Sequence, residues 1–241
     1  MSFILPSIGG GIIASPTAPP APAFSNSAAV DFDGTNDYMS VSGSGTVIDL
    51  KSNFSTSGWY NSTDYSQVVF VWNWGENTTG KRRALILING VWYFNFNGSP
   101  SAITTSTLSN NTWYHVVTTV NSDYSEAKIY LNGTLENTVD VSSLASDYSS
   151  YNTLNLGGKA GVSHFDGLID EFAIFNSVLS ASDVTSIYNS GTPADLSSYS
   201  PVGWWRMGDN DGSTGTTITD QGSGSNDGTL TNGPTFSTSV P

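Results

Sequence analysis

The sequence predicts an all-β fold: two antiparallel sheets packed as a sandwich, with one short helix. Three observations carry this expectation. Charged residues make up 11 % of the 241-residue chain, against roughly 25 % in ordinary soluble domains. Its polar surface must therefore come from Ser, Thr, Asn and Gly, which favour turns and strand edges over helix interiors. Two Asn-Gly pairs, Asn89-Gly90 and Asn132-Gly133, each join two runs of β-branched, aliphatic and aromatic residues. Asn-Gly accepts the two positive φ values of a type I′ turn and is the strongest short hairpin signal. Finally, apolar runs of strand length recur between turn residues along most of the chain, as in an antiparallel sandwich.

Taken in order, residues 1–25 read as an extended arm. Its first half is apolar (Phe3, Ile4, Leu5, Ile8, Ile12, Ile13), and its second half is a Pro/Ala-rich spacer through Pro16, Pro19, Pro20 and Pro22. Apolar residues in a free tail are a liability, so these six are expected to dock on a partner. Strands follow at Ala29 to Phe32, Tyr38 to Val41, Phe54 to Tyr60 and Val68 to Trp74. Further strands are expected in the two hairpins (Arg83 to Phe96, and Ala127 to Val141), at Trp113 to Val120 and at Phe172 to Phe175. A helix is expected over Ala181 to Asn189, capped by Ser180 with Asp183 in a capping box and stopped by Gly191. Residues 191–241 form a C-terminal extension with one strand, Val202 to Met207, expected to join the sandwich edge of its own chain. The expected core includes Phe32, Trp59, Trp113, Ile129, Leu131 and Ile169.

Charge and composition exclude several functions. Twenty acidic residues against seven Lys and Arg give a net charge of −13, which repels phosphate backbones and anionic bilayers, so neither nucleic acid nor membrane is an expected partner. There is no cysteine, hence no disulfide framework and no thiolate chemistry. The apolar N-terminus lacks a basic segment and contains Pro6 and Gly9 to Gly11, so it does not read as a signal peptide.

Several segments, in order, resemble the laminin G-like, concanavalin A-like jelly-roll domains found in surface proteins of bacteria and marine phages. They are Val30-Asp31-Phe32-Asp33-Gly34-Thr35-Asn36-Asp37-Tyr38, Phe54-Ser55-Thr56-Ser57-Gly58-Trp59, Trp113-Tyr114-His115-Val116-Val117, and Ile129-Tyr130-Leu131-Asn132-Gly133. Leu154-Asn155-Leu156-Gly157-Gly158, Phe165 to Phe175 and Leu179 to Val184 complete the set. The resemblance implies a laminin G-like sandwich over residues 26–190. The tail segment Gly203-Trp204-Trp205-Arg206-Met207-Gly208-Asp209 resembles a stretch that in such domains precedes the first motif, as in a circular permutation.

No catalytic residue is expected. Glycan hydrolysis needs two facing carboxylates, and strict alternation along FDGLIDEF turns Asp170 and Glu171 to opposite faces. His115 and His164 are isolated and read as structural. No organic cofactor is expected. A structural calcium is the one candidate cofactor: Asp31, Asp33, Asn36 and Asp37 cluster in sequence, as do Asp209, Asp211 and Asp220. By resemblance, Asp33 and Asp170 are the expected metal ligands. Trp72, Trp74, Trp92 and Trp204 are candidates for a sugar-stacking platform, although core packing is the ordinary use of such residues. Lys81-Arg82-Arg83 reads as a solvated hairpin end. The arm, the composition and the phage resemblance together point to a non-enzymatic virion structural protein. It would be a capsid decoration (cement) or tail-associated subunit, localised to the virion, homo-oligomeric and docked on other virion proteins. The alternative is a lectin-like carbohydrate-binding adhesion module with a cell-surface glycan as partner.

Overall fold

The computed structural model describes residues 1, 24–42, 52–75, 82–96, 99–144, 153–158 and 163–241. The six apolar arm residues, Phe3 to Ile13, lie outside these. Among the described residues are sixteen strands in two antiparallel sheets and one α-helix.

The first sheet runs, edge to edge, β10 (Thr134–Val139), β9 (Ala127–Leu131), β8 (Trp113–Val120), β3 (Phe54–Ser62), β12 (Asp166–Phe175), β1 (Ala29–Asp33) and β16 (Thr235–Ser237). The short strand β13 (Gly203–Trp205) also pairs β12, beyond the stretch that β1 covers. The second sheet runs β14 (Thr217–Ile218), β15 (Gly228–Thr231), β2 (Tyr38–Ser42), β11 (Thr153–Leu156), β4 (Val68–Gly75), β5 (Arg82–Ile88), β6 (Val91–Phe96) and β7 (Ser99–Ile103). Both Asn-Gly hairpins form as expected: Ile88 pairs Val91 and Leu131 pairs Thr134, with positive φ at all four turn residues.

The inner faces meet in one aromatic core that includes Phe32, Phe54, Trp72, Trp74, Trp92, Phe94, Phe172 and Trp205. Gly157, at φ +75°, is needed here because a Cβ would sit 2.3 Å from the Phe32 ring. Five of the six expected core residues are buried, and Trp113 is only half-buried. Trp59 is buried on the outer face of the first sheet, where its ring packs on His115 and Tyr188 at 4.9 and 5.8 Å between centroids.

The helix α1 (Ala181–Tyr188) begins as the sequence predicts. Ser180 Oγ accepts from the Asp183 amide, and the Asp183 carboxylate accepts from the Ser180 amide. It ends at Asn189 in the left-handed region, so Asn189 rather than Gly191 makes the stop. Val184 and Ile187 pack with Val117, Tyr130, Phe175, Leu196 and Trp204 in a second cluster outside the first sheet. The outer face of that sheet is therefore covered where β8, β9, β12 and β13 contribute to this cluster.

The C-terminal extension contributes four strands where one was expected. The strand β13 pairs β12, β16 pairs β1, β15 pairs β2, and β14 pairs β15. The tail is thus built into both sheets beside the first motif. The adjacent Trp204 and Trp205 face opposite ways, as alternation requires, one in the outer cluster and one in the core.

Candidate functional site

Two clusters of polar side chains lie at opposite ends of the β1–β12 ladder. At one end, β1 runs into the turn Gly34 to Asp37. Asp33 Oδ1 accepts from the Thr35 amide at 2.8 Å, and Asp37 Oδ2 accepts from the Asp33 amide at 3.3 Å. Gly34, at φ +71°, allows close approach to β12, where a Cβ would lie 2.7 Å from that of Asp166. Two neighbours hold the turn from outside: His164 Nδ1 lies 3.1 Å from the Asp37 carbonyl, and Asn232 Nδ2 donates to the Asn36 carbonyl at 2.9 Å. Gln67 braces the opposite wall, donating to Ser62 Oγ and the Asp64 carbonyl and accepting from the Asp166 amide.

Between these walls is an open cleft of ≈ 700 Å³, with Thr35, Asn36, Tyr38, Gln67, Ser163, His164 and Asn232 as its polar lining and Val68 and Val69 as its apolar side. Thr35, Asn36, Ser163 and Asn232 are exposed at the mouth, and Tyr38 is half-buried. Burial pushes the Asp31 carboxyl up from its ordinary value, and repulsion from Asp166, Asp37 and Asp33 adds to it.

At the other end of the ladder the register shifts between Asp170 and Ala173. Glu171 takes a positive φ of 45°, and this bulge overturns the expected alternation: both carboxylates join one buried knot. Asp170 Oδ2 accepts from Asn26 Nδ2 and its Oδ1 from the Glu171 amide, at 2.9 and 2.8 Å. Glu171 accepts from Arg206 Nε at 2.9 Å and from Trp204 Nε1 at 2.6 Å. Arg206 also donates to Asp209 and to the Ser25 carbonyl, while Asp209 Oδ1 accepts from the Ser27 amide and hydroxyl. The Arg206 guanidinium lies 4.3 Å from the Phe24 ring centroid. Burial drives both acids up, Glu171 to about 7 and Asp170 well above the usual range, with their mutual repulsion contributing to the shift of Asp170. Raised carboxyls beside a cleft resemble a catalytic pair. Here, however, both are sealed (0 and 2 % exposed), and the neighbouring ≈ 360 Å³ cleft is lined by Phe24, Trp204, Arg206 and Asp209 instead. The knot fastens residues 24–27 and the tail onto the sandwich.

The sequence-predicted metal ligands are not brought together. Asp33 pairs Asp166, whereas Asp170 lies four positions further along β12, about 13 Å away at strand rise. Among the described residues no group of three or more His, Cys, Asp or Glu side chains is placed to hold a metal ion. Trp72 and Trp74 do share a strand face, but it is the inner one, and with Trp92 they are at most 1 % exposed. Trp204 is covered by the outer cluster, so all four candidates serve packing, their ordinary use, rather than a stacking platform. Arg83 is fully buried, its guanidinium 4.3 Å from the Phe96 ring centroid, and Arg82 lies over Phe70; neither is a solvated hairpin end. His115 Nε2 meets Ser57 Oγ at 2.8 Å in a closed interior, where burial lowers its pKa to about 3. Sequence reasoning missed the roles of Tyr38, Gln67, His164 and Asn232; Asn232 reaches the cleft because the tail strand β15 pairs β2.

Two packed antiparallel sheets with one short helix match the concanavalin A-like β-sandwich. A family model described as the Concanavalin A-like lectin/glucanases superfamily, of the laminin G type, matches residues 33–185, and the chain belongs to that family. Similar solved structures include a protein from Bacteroides ovatus assigned a carbohydrate-binding role (20 % identity, TM-score 0.67, covering 89 % of this chain and 60 % of that one). The CBM40 domain of a Ruminococcus gnavus sialidase bound to α2,3-sialyllactose is also similar (17 %, 0.53, 66 % and 96 %). So is a heptameric SAP-like pentraxin from Limulus polyphemus (12 %, 0.52, 68 % and 82 %). At these identities the likeness concerns the fold. The chain spans 60 % of the Bacteroides protein's length. A comparison with curated proteins gave no match.

Proposed function

We propose that this chain is a non-catalytic, lectin-like module that binds a glycan in the rim cleft. The observation that carries the reading is the lining of that cleft. Its side chains are hydroxyl, amide and imidazole groups beside two valines and a tyrosine ring. Sugars offer hydroxyl groups that pair with such donors and acceptors, and C–H faces that pack on aliphatic and aromatic carbon. The walls are held by hydrogen bonds before any ligand arrives, which lowers the ordering cost of binding. The absence of turnover is part of the proposal, because the two adjacent acids are sealed in the knot. The virion role rested on the arm, the composition and the phage resemblance; residues 2–23 of the arm lie outside the described residues, and none of the three neighbours named above is a virion protein.

A glycan array probed with the full chain, followed by titration calorimetry on the strongest hit, tests the reading. Asn36→Ala and His164→Ala should each weaken binding by about tenfold, equivalent to about 1.4 kcal/mol. A silent array, or variants that bind as the parent does, would overturn it.

A further inference from the structure

The electrostatics of the rim point to a class of ligand. Resting on the glycan-binding reading, we infer that the cleft selects uncharged glycans and discriminates against sialylated, uronic-acid and sulfated ones. Recognition of a carboxylate or sulfate on a sugar calls for a cation, ideally the planar fork of an arginine. Among the described residues lining the cleft, none is Lys or Arg.

The described arginines lie elsewhere. Val68, at the cleft, begins β4, while Arg82 pairs Gly75 at its far end, seven positions or about 23 Å along the strand. Arg206 is committed to Glu171 and Asp209 at the opposite end of the β1–β12 ladder. The carboxylates are close at hand instead. Asp33 and Asp37 bracket the turn that forms the wall, Asp166 lies beneath Gly34, and Asp31 stands two positions before Asp33 on β1. Burial raises the Asp31 carboxyl, and repulsion from Asp166, Asp37 and Asp33 adds to it. An anionic sugar entering the cleft would add a like charge beside them, with no Lys or Arg among the described lining residues to offset it. A neutral hydroxyl-bearing chain meets no such cost. Sialyllactose, the ligand of the CBM40 neighbour, is therefore the kind of chain this cleft should refuse.

Lys159 lies outside the described residues, four positions before Ser163, so the test includes its replacement. The full chain is applied to an array of matched pairs, each neutral oligosaccharide beside its sialylated, uronic-acid or sulfated counterpart, at low and high salt. The expected result is binding to neutral members with acidic counterparts at least tenfold weaker. The gap should narrow in high salt and in the Asp31→Asn/Asp33→Asn double variant. Lys159→Ala should leave the preference unchanged. Acidic members that bind as well as their neutral partners, a gap indifferent to salt, or acidic binding abolished by Lys159→Ala would each overturn the selectivity while leaving the glycan reading intact. Failure to bind any glycan would overturn that reading instead.

Discussion

The strands β1 and β12 carry carboxylates at both ends of their ladder, and the two ends have opposite characters. At the rim, Asp31, Asp33, Asp37 and Asp166 lie beside an open cleft, where Asp33 and Asp37 accept from backbone amides. At the knot, Asp170, Glu171 and Asp209 are buried around a single guanidinium and tie together three stretches of chain remote in sequence. The residue type is the same at both ends, but access to water and the nature of the partner differ. Water reaches Asp31 and Asp33 at the rim and leaves them free to set a field for incoming ligands, whereas its exclusion at the knot turns acids into fasteners that depend on their partner.

Removing the partner should have the largest effect. Arg206→Ala strips the cation from Glu171 and Asp209 while both remain buried, and breaking such a pair costs about 3–5 kcal/mol. Calorimetric melting of the full chain should show a large fall in Tm. A loss below about 1 kcal/mol would mean that the knot is no tighter than the rim, and the contrast would collapse.

The second effect is on pH dependence. The folded-state pKa values of Asp170 and Glu171 stand above their ordinary values. Their contribution to stability is therefore complete below the ordinary carboxylate range and is lost as pH rises through the folded values, near 7 for Glu171. His115 acts in the reverse sense. Its depressed value of about 3 removes stability as pH falls below the usual histidine range. Comparing variants separates the two. The melting temperature of Asp170→Asn, measured against the parent from pH 5 to 9, should rise progressively relative to it. A difference that stays flat would show that Asp170 is not held protonated by its surroundings.

How much of this was legible in the sequence follows from what each feature depends on. The hairpins at Asn89-Gly90 and Asn132-Gly133 and the Ser180–Asp183 capping box are local, so a few residues specify them. That Trp204 and Trp205 face opposite ways followed from alternation alone; which of them enters the core did not. Alternation failed at Asp170 and Glu171, because a bulge there puts both acids in one knot, and nothing in FDGLIDEF announces the bulge. The partners of those acids, Arg206 and Asn26, lie 35 and 144 positions away. The cleft was hidden for the same reason: Asn232 reaches Asn36 across 196 positions. Trp72 and Trp74 share one face, but sequence periodicity does not say which face is inward on a strand whose residues Val71 to Trp74 are buried on both sides.

Glu136 occupies the middle of the comparison, being partly buried but satisfied by neutral donors. Its carboxylate accepts from the amides and hydroxyls of Thr105 and Ser106, tying β10 to the chain after β7. Burial alone would raise its pKa, but these four bonds outweigh it and hold the value down. Its contribution is therefore present above the ordinary glutamate value and lost as pH falls through the folded one. Glu136→Ala should cost about 1.5–3 kcal/mol at neutral pH, the scale of lost hydrogen bonds to a charged group. A cost matching that of Arg206→Ala would show that neutral donors fasten as firmly as a buried ion pair.

The smallest effect belongs to the rim, and it separates a ligand field from a structural role. Asp31 is exposed on β1, opposite Leu168, with its side chain turned away from the core. Its upward shift reflects crowding by burial and by three neighbouring acids rather than any bond it makes. Asparagine at this position keeps the shape and removes one charge, relieving repulsion without leaving a buried group unpaired. Asp31→Asn should therefore melt within about 0.5 kcal/mol of the parent, with any change toward greater stability, as for surface substitutions in general. Because the repulsion is screened by ions, whatever gain appears at low salt should shrink as salt is added. A loss of more than about 1 kcal/mol, insensitive to salt, would place Asp31 among the fasteners and erase the distinction between the two ends of the ladder.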